Sequence, residues 1–484
     1  MNIVDPILFN ARYNPGAVAI CTPGTDPPLL SYGELEGWTN NIARLAVSLD
    51  LARGQIIAVY VAEKILHLAI VLALARLGIP TISPRTPILS NTIDISAIIT
   101  DQKVPFENAK RLITVDAAWK RSHERPLADQ RFYETSANDL CRIAQTSGTT
   151  GEAKAIAFTQ EKLLGRIGRY QFIHGGQFSA CRRLYCDFNI QSGIGFQTIL
   201  YMLCRGGAIY LFGADSQSMA QAFDLYKVDG MIAAPHGLAQ YLQFYELPGA
   251  PECSFDFIVC LGAPLSRALA AKVQMNMSPN LLNAYGSTEC GQVAAGPVNL
   301  IAQVPGAVGF VAPDVDLEIV DDADNTLPFG REGRVRIKSV QSVTEYLGDQ
   351  AASAEAFRGE WFYPGDLGSI AANRMLLISG RSNSVINIGG EKIKPELVEE
   401  VLVTLGKVQE AAVFEHANSL GTAELWAAVV VVPHIALDVQ ALQNLCALRL
   451  GRPFAPRHIF QVASLPKSES GKLDRSKLAA LPAL

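Results

Sequence analysis

The sequence predicts an α/β protein: a large N-terminal part built on parallel sheets, followed by a small α+β unit. Three observations carry this expectation. Short β-rich runs alternate with helical patterns over most of the 484 residues, the arrangement that gives parallel strands covered by helices. Two later runs, 315–320 and 333–339, flank the turn-rich stretch 321–330 and read as antiparallel strands. Past Ser379-Gly380-Arg381-Ser382-Asn383 the style changes again, to a compact stretch of about 100 residues, the size of an autonomous domain.

Residues 56–61 are β-rich and lead into a helical pattern at 67–77. The surrounding stretch 65–79 is the most apolar in the chain. It is too short to cross a bilayer and contains His67 and Arg76, so it is expected as a buried helix. Runs at 81–83, 97–100, 112–115, 184–186, 208–211, 230–233 and 257–260 continue the strand series. Residues 140–144 and 155–158 read as strands on either side of a polar loop. The last unit reads as a helix (395–405), a strong strand (425–432), a helix (439–450) and a basic tail, which divides the chain into 1–381 and 382–484.

Composition excludes several classes of function. Hydrophobic residues make up 49% of the chain, enough for a large core and more than one domain. The net charge is −5, the signs are mixed, and no basic stretch is interleaved with aromatics, so nucleic acid is not expected as a partner. The nine Cys are scattered, odd in number and form no Cys-x-x-Cys, which points to reduced thiols in a cytoplasmic protein. The seven His are isolated, with no His-Glu-x-x-His, and suggest no zinc site. Met1-Asn2-Ile3-Val4-Asp5-Pro6 lacks the basic-then-apolar pattern of a secretory signal, and no membrane span is expected.

The most informative stretch is Gln145-Thr146-Ser147-Gly148-Thr149-Thr150-Gly151-Glu152-Ala153-Lys154. Its glycines permit the left-handed turns that aim successive backbone N–H groups at an anion. The hydroxyls add donors and Lys154 adds a mobile charge. A polyphosphate is the natural guest. This is not the P-loop, in which Lys directly follows the second Gly and a helix comes next. Here Lys154 stands three residues past Gly151 and an apolar strand follows. A plain polar turn between strands is the alternative.

Three further clusters carry chemistry. In Asn283-Ala284-Tyr285-Gly286-Ser287-Thr288-Glu289, Tyr285 offers a flat face for a base, Thr288 a donor for a phosphate, and Glu289 an oxygen ligand for Mg²⁺. A turn with a core Tyr and a solvated Glu accounts for the same residues. Tyr363-Pro364-Gly365-Asp366, followed at a distance by Gly380-Arg381, sets an Asp on a Gly turn, where its two oxygens can grip a ribose diol or simply close a turn. Leu465-Pro466-Lys467-Ser468-Glu469-Ser470-Gly471-Lys472-Leu473-Asp474-Arg475 is either a solvated basic tail or a mobile loop that delivers one Lys to a distant site.

Taken in order, these clusters resemble the adenylate-forming superfamily: acyl- and aryl-CoA synthetases, peptide-synthetase adenylation domains and beetle luciferases. The likeness spans nearly the whole chain. It includes Leu30-Ser31-Tyr32-Gly33-Glu34-Leu35, Leu74-Ala75-Arg76-Leu77-Gly78, the phosphate loop and Gly262-Ala263-Pro264-Leu265. It then runs through 285–289, Gly365-Asp366, 380–399 and Ser470-Gly471-Lys472.

The resemblance implies a large N-terminal domain of parallel α/β sheets plus a small β-barrel, with a hinged C-terminal domain and the active site in the cleft between them. It implies ATP and Mg²⁺ as cofactors, a small carboxylic acid as substrate, and CoA or a carrier-protein phosphopantetheine as the thiol. Thr146, Ser147, Gly148, Thr149, Thr150, Gly151 and Lys154 would hold the β- and γ-phosphates. Tyr285 would pack on adenine beside Gly262, Ala263 and Pro264, with Gly286 in the same strand end. Thr288 would contact the α-phosphate, and Glu289 would hold Mg²⁺. Asp366 and Arg381 would fix the ribose, and Lys472 would bridge the substrate carboxylate and the α-phosphate. Asn383 matches the hinge position, and Gly389 and Gly390 would line the passage for a pantetheine arm.

The chain departs from the family pattern at Ala153, Pro364 and Asn383, none of which removes a group with a chemical role. It also lacks the aromatic or His motif before the acyl pocket. Asn189, Gln191 or Ser192 stands in its place, and Asp187 lies too early to hold an amino-acid ammonium. Pocket residues are expected from 187–196, Ala234-Pro235-His236 and 261–263. The expected activity is formation of an acyl-adenylate and then a CoA thioester. The alternatives are a ligase that loads a carrier protein and a catalytically silent nucleotide-binding relative.

Overall fold

A computed structural model describes the chain except for residues 24, 26–27, 85–91, 104–105, 107–109, 121–134, 147–153, 212–215, 248–254, 383, 385, 389–390, 405–406, 418–422, 468–471 and 482–484. The N-terminal part holds two sheets. The smaller has six strands in the order Leu112–Thr114, Ile95–Thr100, Ile56–Tyr60, Thr81–Ile82, Leu140–Thr146 and Lys154–Thr159. All neighbours are parallel except the last pair, a hairpin that closes on Thr146 opposite Lys154.

The larger sheet has fifteen strands. Its parallel part runs Val18–Cys21, Ala208–Tyr210, Arg183–Cys186, Gly230–Ala233, Phe257–Cys260 and Leu281–Ser287. The antiparallel part continues through Gly291–Pro297, Ala307–Val311, Met375–Arg381, Asp366–Ile370 and Gly333–Lys338. The α/β class is as the sequence predicts. The antiparallel strands, expected as a small barrel, form an open continuation of the parallel sheet among the described residues. The hydrogen bonding never breaks between the two parts, because Leu281–Ser287 pairs parallel on one edge and antiparallel on the other.

The apolar helix spans Lys64–Arg76 and is buried all round from Ile65 to Arg76, as expected for a helix without a polar face. It starts earlier than its apolar pattern because the Glu63 carboxylate accepts from the backbone N–H groups of Ile65 (2.8 Å) and Leu66 (2.6 Å). The early Ser31–Glu34 motif has a structural task. Ser31 caps the helix Tyr32–Ser48 in a reciprocal capping box with Glu34.

Beyond the large sheet, Val408–Ala417, Ala423–Val431 and His458–Gln461 form a three-stranded sheet. The helices Pro395–Val403 and Val439–Leu450 pack on it. Val398, Leu402, Val413, Ala427 and Leu442 share a core of their own there. Two lysines tie this unit to the rest. Lys394 ion-pairs with Glu332 and donates to Ser379 Oγ at 2.8 Å. Lys467 Nζ lies 3.3 Å from His236 Nδ1. Among the described residues no helix is long and apolar enough to cross a membrane. Eight cysteines are described, all free, and all but Cys204 are buried.

Candidate active site

The site is built where the sheet changes from parallel to antiparallel. Leu281–Ser287 ends in a tight turn through Thr288, Glu289 and Cys290 before Gly291–Pro297 returns. Gly286 is required in that hairpin, since a Cβ there would stand 2.1 Å from the Gly291 carbonyl oxygen. The turn is held from behind by Arg166, on the helix Gln160–Ile173. Its guanidinium donates to the carbonyls of Thr288 (2.7 Å), Glu289 (2.6 Å) and Gln341 (2.9 Å). Burial lowers the Arg166 pKa to about 10, so it remains charged at neutral pH.

The Glu289 side chain is buried and accepts from the Tyr346 hydroxyl at 2.9 Å. The Tyr346 ring in turn carries the Lys154 ammonium 4.7 Å from its centroid. The Lys that ends the phosphate loop and the proposed Mg²⁺ carboxylate thus meet across one aromatic ring. Ser147, Gly148, Thr149, Thr150 and Gly151 lie outside the described residues, as do Asn383, Gly389 and Gly390. No group of three or more His, Cys, Asp or Glu able to hold a metal occurs among the described residues. A single buried carboxylate fits Mg²⁺ when phosphates supply its other ligands.

Asp366 opens the strand Asp366–Ile370 directly opposite Arg381. Its carboxylate pairs with Arg381 Nε at 3.0 Å and accepts from the Tyr285 hydroxyl. Burial pushes the Asp366 pKa up, while the charges of Arg381 and Lys472 and the Tyr285 hydrogen bond pull it back. Lys472, from the last stretch of the chain, therefore stands within electrostatic reach of Asp366. Burial and the neighbouring Asp366 raise the Tyr285 pKa, which keeps the hydroxyl a donor. Gly262, at φ +94°, follows the C-terminal end of Phe257–Cys260, the strand neighbouring Leu281–Ser287. Ala263 and Pro264 extend from it at the carboxyl ends of the parallel strands, where open α/β sheets bind ligands.

In the expected pocket segment, Ser192, Asn189 and Asp187 make hydrogen bonds within the protein. Ser192 Oγ caps the helix Gly193–Cys204 by accepting from Gly195 N at 3.0 Å. Asn189 Oδ1 accepts from Gln191 N at 3.2 Å. Asp187 accepts from the hydroxyls of Tyr241 (2.7 Å) and Tyr185 (3.2 Å). It is thus engaged by tyrosines, with burial raising its pKa.

Sequence reading missed Arg166 and Tyr346. A signal existed for Arg166. Gln160, Leu163, Arg166, Ile167 and Tyr170 fall on one helical face, and that face is the buried one. Tyr346 has no local signal.

The model of the AMP-binding enzyme family matches residues 9–347, and that of the AMP-binding enzyme C-terminal domain matches residues 397–472. A long-chain-fatty-acid–CoA ligase of Mycobacterium tuberculosis is 25% identical, over 97% of this chain and 96% of its own. Two solved structures share the fold. An anthranilate CoA ligase in complex with anthranoyl-AMP superposes with a TM-score of 0.88 at 19% identity, over 99% of this chain and 97% of its own. An amide bond synthetase from Marinactinospora thermotolerans gives 0.83 at 22% identity, over 98% and 99%. The two family matches together cover most of the chain, the first including the Thr288–Glu289 turn and the second ending at Lys472, so the chain belongs to the AMP-binding, adenylate-forming enzymes.

Proposed function

We propose that this enzyme joins a carboxylic acid to the thiol of CoA in two steps. A carboxylate oxygen attacks the α-phosphorus of ATP, and pyrophosphate leaves. The thiol then attacks the carbonyl of the acyl-adenylate, forming the thioester and releasing AMP. Asp366 accepts from the ribose hydroxyls, with Arg381 and Tyr285 holding the carboxylate in place. Thr288 donates to the α-phosphate, and Thr146 to Lys154 hold the departing phosphates. Glu289 would hold Mg²⁺, which offsets phosphate charge when bound. Lys472 bridges the two anions that must meet, the acid and the α-phosphate, and so acts where charge develops. Residues 382–484 turn about Asn383 between the steps, and Gly390 leaves room for the pantetheine arm.

One observation carries this reading: the charge of Lys472, far along the chain, bears on the buried Asp366 carboxyl beside Tyr285 and Arg381. The CoA-ligase name of the M. tuberculosis relative supports the choice of thiol. The test is pyrophosphate release over a panel of carboxylic acids, followed by product analysis with free CoA, a phosphopantetheinylated carrier protein or an amine as acceptor. A thioester formed with CoA in preference to the other acceptors is expected. Amide formation, or transfer to the carrier alone, would replace the second step. No release with any acid would leave a silent nucleotide-binding protein.

A further inference from the structure

Lys472 stands at the base of a short hairpin. Lys467 and Leu473 pair as an isolated antiparallel bridge, and Asp474 N donates to Pro466 O at 2.9 Å. This base is fastened to the small C-terminal unit. Leu473 packs against the core of Ala412, Phe414, Val462 and Leu465. Arg475, two residues on, donates to Glu399 at 2.7 Å and to Glu396 at 3.2 Å. Lys467 Nζ pairs with Glu410, on the strand Val408–Ala417, at 2.6 Å.

On its other side the Lys467 ammonium reaches out of the unit and donates to His236 Nδ1 at 3.3 Å. His236 stands in the first turn of the helix Pro235–Tyr245, which begins where the parallel strand Gly230–Ala233 ends. Gly262 follows the neighbouring strand Phe257–Cys260 at the same end of the sheet. A neutral imidazole carries one N–H. With Nδ1 accepting, that proton lies on Nε2, and the Gln240 amide, 3.1 Å away, accepts it with its oxygen turned inward. Burial and the Lys467 charge lower the His236 pKa, against smaller upward pulls from Glu410 and Asp187, so the ring stays an acceptor at neutral pH. In this same arrangement the charge of Lys472 bears on the Asp366 carboxyl.

Among the described residues, the two hydrophobic cores of the small unit draw on that unit alone, Ile386 to Ile459 and Ala412 to Leu478. Polar contacts tie it to the large part. Partly exposed contacts of this kind are weak, as suits a joint that reopens in every turnover. The tie of Lys394 to Glu332 and Ser379 falls close to Asn383 in the chain, whereas the tie of Lys467 to His236 acts on the Lys472 hairpin itself.

We propose that the Glu410–Lys467–His236 bridge is a latch for the acid-activating step. It registers the hairpin against the carboxyl ends of the parallel strands, so that Lys472 meets the reacting anions, and it parts when the small unit turns for thiol transfer. Lys467 and His236 are positioning residues, and neither needs to touch the substrate. The inference rests on the ligase and hinge reading above and adds what holds the first of its two arrangements.

The test measures the two half-reactions separately, on the acid that the wild-type enzyme activates best. Lys467→Met and His236→Ala should each slow kcat for pyrophosphate exchange about two- to fivefold. KM for ATP and acid should not change, and thioester formation from a supplied acyl-adenylate should run at the wild-type rate or faster. His236→Gln keeps an acceptor for Lys467 and should recover most of the loss. The Lys467→Met, His236→Ala double variant should be no slower than the slower single one, since both remove one contact. Equal slowing of both half-reactions, additive losses in the double variant, or a Gln variant no better than the Ala one overturns the inference in favour of a general structural role. A raised KM for the acid with kcat intact also overturns it, by placing His236 in the acid pocket. A wild-type enzyme that exchanges pyrophosphate no faster than the variants sinks this inference alone. No exchange with any acid sinks the ligase reading and the latch with it.

Discussion

Tyr346 donates its hydroxyl to Glu289 Oε1 at 2.9 Å, and the face of the same ring carries the Lys154 ammonium. Burial and the nearby Glu289 carboxylate raise the Tyr346 pKa, so the phenol stays protonated and fixes one carboxylate oxygen. The other oxygen is left to meet a cation.

Tyr346→Phe keeps the ring under Lys154 and removes only this donor. A hydrogen bond to a charged group contributes about 1.5–3 kcal/mol. Pyrophosphate release should therefore fall about tenfold at limiting Mg²⁺ and largely recover at saturating Mg²⁺. A loss that added Mg²⁺ does not restore would show that the hydroxyl does not orient a metal ligand.

Lys472→Ala should nearly abolish carboxylate-dependent pyrophosphate exchange and spare thioester formation from a supplied acyl-adenylate. The charge is needed where two anions approach, and the second step has no such encounter. Equal loss in both assays would contradict the assignment of Lys472 to adenylation.

Asp366 links stability to pH. Burial holds its carboxyl above the ordinary value of 3.8. Between that value and the raised one, the folded protein keeps a proton that the unfolded chain has released, so stability falls as pH rises through this window. Above the window the ionised group carries a steady cost. Asp366→Asn should leave Tm at neutral pH unchanged or higher, with any gain fading on acidification, while the KM for ATP rises about tenfold or more. Thermal melts at neutral and acidic pH, with ATP kinetics, check both halves. A lower Tm with ATP affinity intact would reverse the assignment.

Arg166→Met should lower stability by about 3 kcal/mol or more, because the carbonyls of Thr288, Glu289 and Gln341 lose a common buried donor. Arg166→Lys keeps the charge without the planar fork and should recover only part of the loss. Chemical denaturation measures both. Near-native stability of Arg166→Met would mean that water replaces the guanidinium freely.

Local signals carried much of the fold. The strand Phe257–Cys260 and the helix Val439–Leu450 have the bounds their sequences suggest. The first is a short, fully buried apolar run. The second begins at Asp438, whose side chain accepts from Ala441 N, and ends at Gly451 in a positive-φ conformation. The strand expected at 425 starts earlier, at Ala423, because Ala423 and Glu424 pair with Ala417 and His416. That partner is not legible from either segment alone. The same division holds at the site. Tyr285, Thr288 and Glu289, like Asp366 and Arg381, announce themselves in short clusters. Arg166 lies 123 residues from Glu289, and Tyr346 lies 57 from it. Their roles are created by tertiary contact: the helical face of Arg166 hints only at its burial, and Tyr346 leaves no trace in local composition.

The free cysteines bear on selectivity toward the acceptor. A mixed anhydride yields to any competent sulfur nucleophile, including the enzyme's own. Burial raises the pKa of Cys21, Cys186 and Cys204 to about 12 and that of Cys446 to about 11, and it raises those of Cys141, Cys181, Cys260 and Cys290 as well. At physiological pH these side chains are thiols, not thiolates, and inert. Among the described residues the protein thus offers an activated acyl group no cysteine thiolate to intercept it.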